Sequence, residues 1–183
     1  MLIGIVGRKG SGKTSAANLL VKEHGFKKMA FSDPLKEIVS ELFGVGYVNF
    51  TDEYLKTKEI PHMPGWTPRR LMQYFGTEVV RNLYYNAWID IMERRIKRET
   101  NQDIVVDDVR FINEAELIKK LGGVLIGVEV EGEDKSDLHD SERFVEQVQN
   151  EYCMFHYCAP KGLLKLHTWM DQTLGIIKNS PAE

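Results

Sequence analysis

The chain has 183 residues, 43% hydrophobic and 28% charged, the balance of an ordinary soluble globular protein with one core and at most a small insertion. Its 24 Lys and Arg against 27 Asp and Glu leave a net charge of −3, which excludes bulk attraction to nucleic acid or to an anionic membrane. An anionic substrate must therefore be held by local positive groups. No apolar run approaches the length of a membrane span. The N-terminus lacks the basic segment and longer apolar core of a signal peptide. The expectation is a cytoplasmic protein with no nucleic-acid or membrane partner.

In chain order, Leu2–Val6 reads as a short buried strand. A turn with three glycines follows at 7–12. Lys13–His24 is a predicted helix whose apolar side is Ala16, Ala17, Leu19, Leu20 and Val21, stopped by Gly25. Lys28–Phe31 is a second strand. Ser32-Asp33-Pro34 opens a helix, Ser or Asp capping it and Pro sitting early, which runs to Phe43 and ends at Gly44. Residues 44–66 form a long irregular stretch of the kind that is more often functional or mobile than idle. Thr67-Pro68 caps a helix through RRLMQYF. Gly76-Thr77 is expected to break it, and a long helix then runs to Arg98 with Val80, Leu83, Tyr84, Ala87, Trp88 and Ile91 at helical spacing. Its basic end RRIKR suits a solvated C-terminus.

Ile104–Val106 is a third buried strand, ending in Asp107-Asp108. A helix over Asn113–Leu121, a strand over Val124–Val130, an acidic loop over 131–142, a helix near 142–150, a strand over 152–158 and a helix over Leu163–Ile177 complete the chain. Cys153, His156 and Cys158 match no zinc spacing, so CMFHYC is expected to be a buried, aromatic-rich strand with two reduced thiols. Short apolar strands alternating with helices predict an α/β fold, a mostly parallel sheet flanked by helices in three layers.

Gly7-Arg8-Lys9-Gly10-Ser11-Gly12-Lys13-Thr14 satisfies G-x-x-x-x-G-K-[ST] between an apolar strand and a helix, as a phosphate-binding loop requires. The glycines let backbone N–H groups converge on phosphate oxygens, and the helix adds its positive end. The nucleotide-binding candidates are Gly7 through Ser15. Lys13 is expected to reach the β- and γ-phosphates, and the Thr14 hydroxyl to hold Mg²⁺. IVVDD supplies the second metal group at a strand end, either Asp107 or Asp108. Guanine-specific switches carry N-K-x-D, which is absent, and motor ATPases usually need a larger domain. A small-molecule kinase instead needs a second anion pocket. TPRRLMQYFGTEVVR offers one, with Arg69, Arg70 and Arg81 around Gln73, Gly76, Thr77 and Glu78. Alone, that segment reads more readily as a solvated amphipathic helix pair with surface arginines.

Four segments in order along the chain carry a resemblance: GRKGSGKTSAANLL, FSDPLKE, TPRRLMQYFGTEVVR with the later Trp88, and VVDDVRFINEAELIKKLGG. The chain resembles the deoxynucleoside monophosphate kinases known from bacteriophages, within the nucleoside monophosphate kinase superfamily. The first segment is shared by many P-loop kinases; the third and fourth are more specific. HDSE at 139–142 is a weaker feature.

The resemblance implies that Asp33, Lys36, Arg69, Arg70, Gln73, Glu78, Arg81 and Trp88 belong to the acceptor pocket. It implies Asp108 rather than Asp107 as the strand-end acid, Arg110 as a phosphate-binding arginine, and Asn113 and Glu114 as groups that orient that segment. It implies a lid over about 131–143, with Arg143 as its arginine. The match fades after about residue 150. The expected protein is a single P-loop kinase domain over 1–183 with an acceptor-binding insertion at about 34–98. It would use ATP and Mg²⁺ to phosphorylate deoxynucleoside monophosphates, in the host cytoplasm if phage-encoded. Closure of 44–66 or 131–143 would exclude water. A kinase for another acceptor such as dephospho-coenzyme A, and a non-catalytic ATP-binding module, stay as alternatives. Base choice, ribose tolerance and a homodimer stay open. Tyr84 and Tyr85 are expected to be core.

Overall fold

The computed structural model describes residues 1–132, 144–160 and 163–179. In chain order the elements are β1 (Leu2–Val6), α1 (Lys13–His24), β2 (Lys27–Met29), α2 (Asp33–Phe43), α3 (Pro68–Gln73), α4 (Ala87–Arg98), β3 (Ile104–Val109), α5 (Ile112–Lys120), β4 (Val124–Val130), α6 (Val145–Tyr152), β5 (Phe155–Ala159) and α7 (Leu163–Asn179). They group into two compact units. One is Met1–Ala30 with Ile96–Glu183; the other is Phe31–Arg95.

The first unit is built around β1. Its sequence LIGIV has no polar side chain, and all five residues are buried, as a strand covered on both faces must be. β1 pairs in parallel with β3 on one side and β4 on the other. β2 and β5 complete the all-parallel order β2-β3-β1-β4-β5. Alternation divides the side chains. Ile3, Ile5, Val105, Ile126 and Val128 pack against Ala16 and Leu20 of α1 and Met170 and Leu174 of α7. On the opposite face, Gly4 lies where an added Cβ would stand 2.7 Å from Leu125 and 3.3 Å from Ile118 of α5. Helices on both faces make the expected three-layer α/β fold.

Three strand details differ from the expectation. β2 covers only Lys27–Met29. β3 does not end at Asp107-Asp108 but continues to Val109. It also carries a bulge there. Gly4 faces Val106 while Val6 faces Val109, so β3 advances three residues as β1 advances two. A bulge inserts one residue and re-aims its neighbours. Lastly, the thiols are not in a buried strand. β5 is an edge strand in which Cys158 and His156 are exposed and Tyr157 points inward, and half-buried Cys153 precedes it. Val21 is exposed on α1 as well.

In the second unit, Pro34 sits in the first turn of α2, but Ser32 gives no side-chain cap. Asp33 instead takes the Lys36 ammonium at 2.9 Å. The 44–66 stretch contains two short 3₁₀ turns, Tyr47–Phe50 and Leu55–Thr57, and is anchored by buried Val45, Phe50 and Ile60. Thr67 caps α3 as expected, its hydroxyl accepting from the Arg70 N–H at 3.2 Å.

The helix does not break at Gly76-Thr77. It widens into a π-helix over Tyr74–Arg81 and stops at a turn near 84–86. The indole N–H of Trp88 donates to the Gly76 carbonyl at 3.0 Å, and an outside group reaching a helix ladder is a recognised cause of local distortion. Because the turn resets the helical phase, the apolar residues on its two sides do not share a face. Trp88 is 4% exposed, whereas Leu83 is 87% exposed and Tyr84 and Tyr85 are exposed rather than core.

Two predictions follow from these packing facts. A Cβ on Gly76 would lie 2.6 Å from Leu35 Cδ2. Gly76→Ala is therefore expected to cost about 1 to 3 kcal/mol in urea unfolding, and the double variant with Leu35→Ala should lose less than the sum of the two single losses. Burial and the Glu129 charge push the Cys153 thiol up to about 12. Since the thiolate is the nucleophile, iodoacetamide at pH 8 should label exposed Cys158 well before Cys153, read by peptide mass.

Candidate active site

The carboxyl end of β1 lies where the chain departs to one side of the sheet and then to the other, the position at which open α/β sheets bind ligands. The Gly7–Thr14 loop begins there. Gly7 has no room for a side chain: an added Cβ would lie 2.4 Å from the Val128 carbonyl and 2.5 Å from Ser11 Oγ. Gly12 caps α1 at φ 99°, a left-handed conformation that side chains rarely adopt.

The loop is arranged for an anion. Gly12 supplies no side-chain cap, and the first turn of α1 holds no acid. The positive end of the helix is thus left for a ligand. Ser11 Oγ is buried without a hydrogen-bond partner. Lys13 is buried and folds back so that its ammonium donates to the Arg8 carbonyl. Arg8 is tied to Glu146 of α6 at 3.6 Å. Lys9 and Gly10 are exposed, and Ser15 is half-buried.

The acid facing the loop is Asp107. It lies on the α1 side of β3 and is only 7% exposed. Thr14 Oγ1 donates to its Oδ2 at 3.3 Å, and the Lys28 ammonium lies 2.6 Å from the same oxygen. Asp108 is half-buried at the next position. A hydroxyl and a carboxylate are hard oxygen donors, a set that suits Mg²⁺ completed by water and phosphate oxygens. No cluster of three or more His, Cys, Asp or Glu able to cage a metal exists among the described residues.

Arg110 follows the bulged end of β3. Glu114, 3% exposed, fixes the segment by accepting the N–H groups of Arg110 at 2.8 Å and Phe111 at 3.1 Å. This is the reciprocal half of a capping box. It matches the orienting role expected for Glu114; Asn113 is buried beside it.

The second unit holds the acceptor candidates. Arg69 donates to Glu53 at 3.0 Å. Its Nε is buried without a partner. Glu53 also takes Lys56 at 2.7 Å; burial opposes its ionisation, yet Lys56 and Arg69 together hold the carboxyl below its ordinary range. Arg70 donates to the Gly65 carbonyl at 2.7 Å and stacks 4.7 Å from the Trp66 ring centre. Arg81 is buried, 5.8 Å from the Tyr85 ring centre. Gln73 is half-buried and Glu78 exposed. Trp88 is buried with its N–H spent on Gly76. Arg143 and most of the expected lid lie outside the described residues.

Lys28, Glu53 and Glu146 escaped sequence reasoning. Their roles depend on strand register and on contacts across loops, and no motif marks them.

This loop on this sheet defines a P-loop kinase fold. Two solved structures share it: shikimate kinase from Aquifex aeolicus, at TM-score 0.56 and 12% identity over 99% of this chain and all (100%) of that one, and dephospho-CoA kinase from Campylobacter jejuni, at 0.52 and 13% over 96% of each. A sequence model of the deoxynucleotide monophosphate kinase family matches residues 45–156. A protein of Acanthamoeba polyphaga mimivirus, provisionally named a deoxynucleotide monophosphate kinase, is 36% identical over 163 residues, 78% of this chain and 80% of that protein. The deoxynucleotide monophosphate kinase of Escherichia phage RB69 is 33% identical over 81 residues, covering 42% of this chain and 33% of its own. The chain belongs to the deoxynucleotide monophosphate kinase family and is a phosphotransferase.

Removing the Glu114 carboxylate leaves two N–H groups without their partner. Glu114→Ala is expected to cost about 1 to 3 kcal/mol, measured by urea unfolding.

Proposed function

We propose that the chain transfers the γ-phosphoryl group of ATP to a deoxynucleoside 5′-monophosphate, giving the diphosphate. The observation that carries this reading is the meeting of Thr14 and Asp107 beside the uncapped start of α1, in a chain of this family.

The Gly7–Ser15 backbone binds the ATP phosphates, and Lys13 leaves the Arg8 carbonyl for the β- and γ-phosphates. Mg²⁺, when bound, would supply charge neutralisation to the phosphates, and Thr14 and Asp107 are the residues that would hold it. The contact between Thr14 and Asp107 favours Asp107 over Asp108, against the expectation from family resemblance. Arg110, its backbone held by Glu114, steadies charge on the moving group. Arg143 serves as a lid arginine in this reading.

Arg69, Arg70 and Arg81 supply positive charge for the acceptor phosphate. Gln73 offers an amide to the base edge, and Glu78, Asp33 and Lys36 complete the acceptor set in this reading. Trp88 supports the helix rather than stacking on the base, since its ring is buried and its indole N–H holds the Gly76 carbonyl. An acceptor phosphate is anionic at neutral pH and needs no strong base. Catalysis therefore rests on positioning and electrostatics.

The test is coupled ADP release from Mg-ATP with each deoxynucleoside monophosphate, the ribose forms and dephospho-coenzyme A. Turnover with one or more deoxynucleoside monophosphates is expected. Lys13→Ala should lower kcat by about a thousandfold. Asp107→Asn should demand more Mg²⁺ for half-maximal rate than Asp108→Asn. ADP release that ignores the acceptor would overturn the reading.

A further inference from the structure

Lys28 is the middle residue of β2 and pairs with Val105 of β3. Paired residues on neighbouring strands face the same side, and residues two apart share it. Lys28, Val105 and Asp107 therefore lie on the α1 face, while Lys27 points the other way and meets Glu99 at 2.6 Å. The Lys28 ammonium stands 2.6 Å from Asp107 Oδ2, the oxygen that also accepts from Thr14. Burying a carboxylate is costly unless a counter-charge or strong donors accompany it. Lys28 supplies the charge. Its own side chain is 34% exposed, so its flexible stem can withdraw the ammonium into water without moving the strand.

A divalent cation held by Thr14 and Asp107 competes for that same oxygen. Two cations within a few ångströms repel strongly in a partly buried site. We propose that Lys28 is the resident counter-ion of the metal carboxylate: it pairs with Asp107 beside Thr14 in the metal-free protein, and gives up Oδ2 to the cation on binding. The proposal rests on the reading of Thr14 and Asp107 as the metal pair. Lys28 is then a positioning residue that keeps affinity for the free cation low, so that the metal enters with the nucleotide that carries it.

The test uses Mn²⁺ as the probe on the nucleotide-free protein, with free Mn²⁺ read by electron paramagnetic resonance. Lys28→Met should tighten Mn²⁺ binding at least about tenfold. Lys28→Arg, which keeps the charge, should bind as weakly as wild type. Asp107→Asn added to Lys28→Met should abolish the gain. Mn²⁺ should also raise the melting temperature of Lys28→Met more than that of wild type, which a lysine serving packing alone would not produce. Lys28→Gln replaces Lys28→Met if the latter does not fold, with the same gain expected. Unchanged or weaker Mn²⁺ binding in the folded charge-free variant overturns the counter-ion role. In that case a raised Mg²⁺ requirement in Asp107→Asn leaves the metal reading standing. A wild-type Mg²⁺ requirement in Asp107→Asn removes the metal reading, and the proposal with it.

Discussion

Everything at the phosphate loop follows from β1 being enclosed. A strand hydrogen-bonded along both edges and covered on both faces has no room for polar side chains within it. Its chemistry can appear only where it ends. The loop that leaves β1 must turn against the Val128 carbonyl, which excludes any side chain at Gly7. It then delivers the start of α1 with neither a side-chain cap nor an acid. The neighbouring strand contributes the acid from the same face as α1. Lys13 and Thr14 are neighbours in sequence, and it is sheet order that brings the Asp107 carboxylate of β3 to Thr14.

The second unit solves a different problem with the same economy. Its arginines sit on a helix that is widened over eight residues. The widening is backed by a tight approach of Gly76 to Leu35 and by the Trp88 indole on the Gly76 carbonyl. The aromatic residue that resemblance assigned to substrate is thus occupied in shaping the helix. The exposed Tyr84 and Tyr85 lie in the turn that ends that helix.

Much of this was legible in the residues. The loop motif, the strand before it and the helix after it followed from glycine spacing and apolar runs. Gly25 and Gly44 ended their helices as expected, both in left-handed conformation, and Thr67 capped where its hydroxyl suggested. What sequence did not give was register. Alternation shows which residues share a face, but not which neighbouring strand they meet. Lys28 therefore carried no reading beyond the start of a strand. The π-helix was also hidden, because a glycine within a helical pattern reads first as a stop. The thiols were misjudged because β5 resembles a core strand in composition yet occupies the sheet edge.

The bulge in β3 has a consequence for how this segment can vary. Before it, Val105 and Asp107 share one face; after it, Val109 lies on the face of Gly4, where an added Cβ would stand 3.2 Å from it. The parity of the strand reverses within VVDDVR. Losing one of the two aspartates would restore regular pairing, with Val109 still opposite Val6 and the remaining acid still on the α1 face. The segment can therefore shed a residue here without turning its neighbours over. What such a loss removes is the second acid, so the bulge is the device by which one strand position carries two carboxylates.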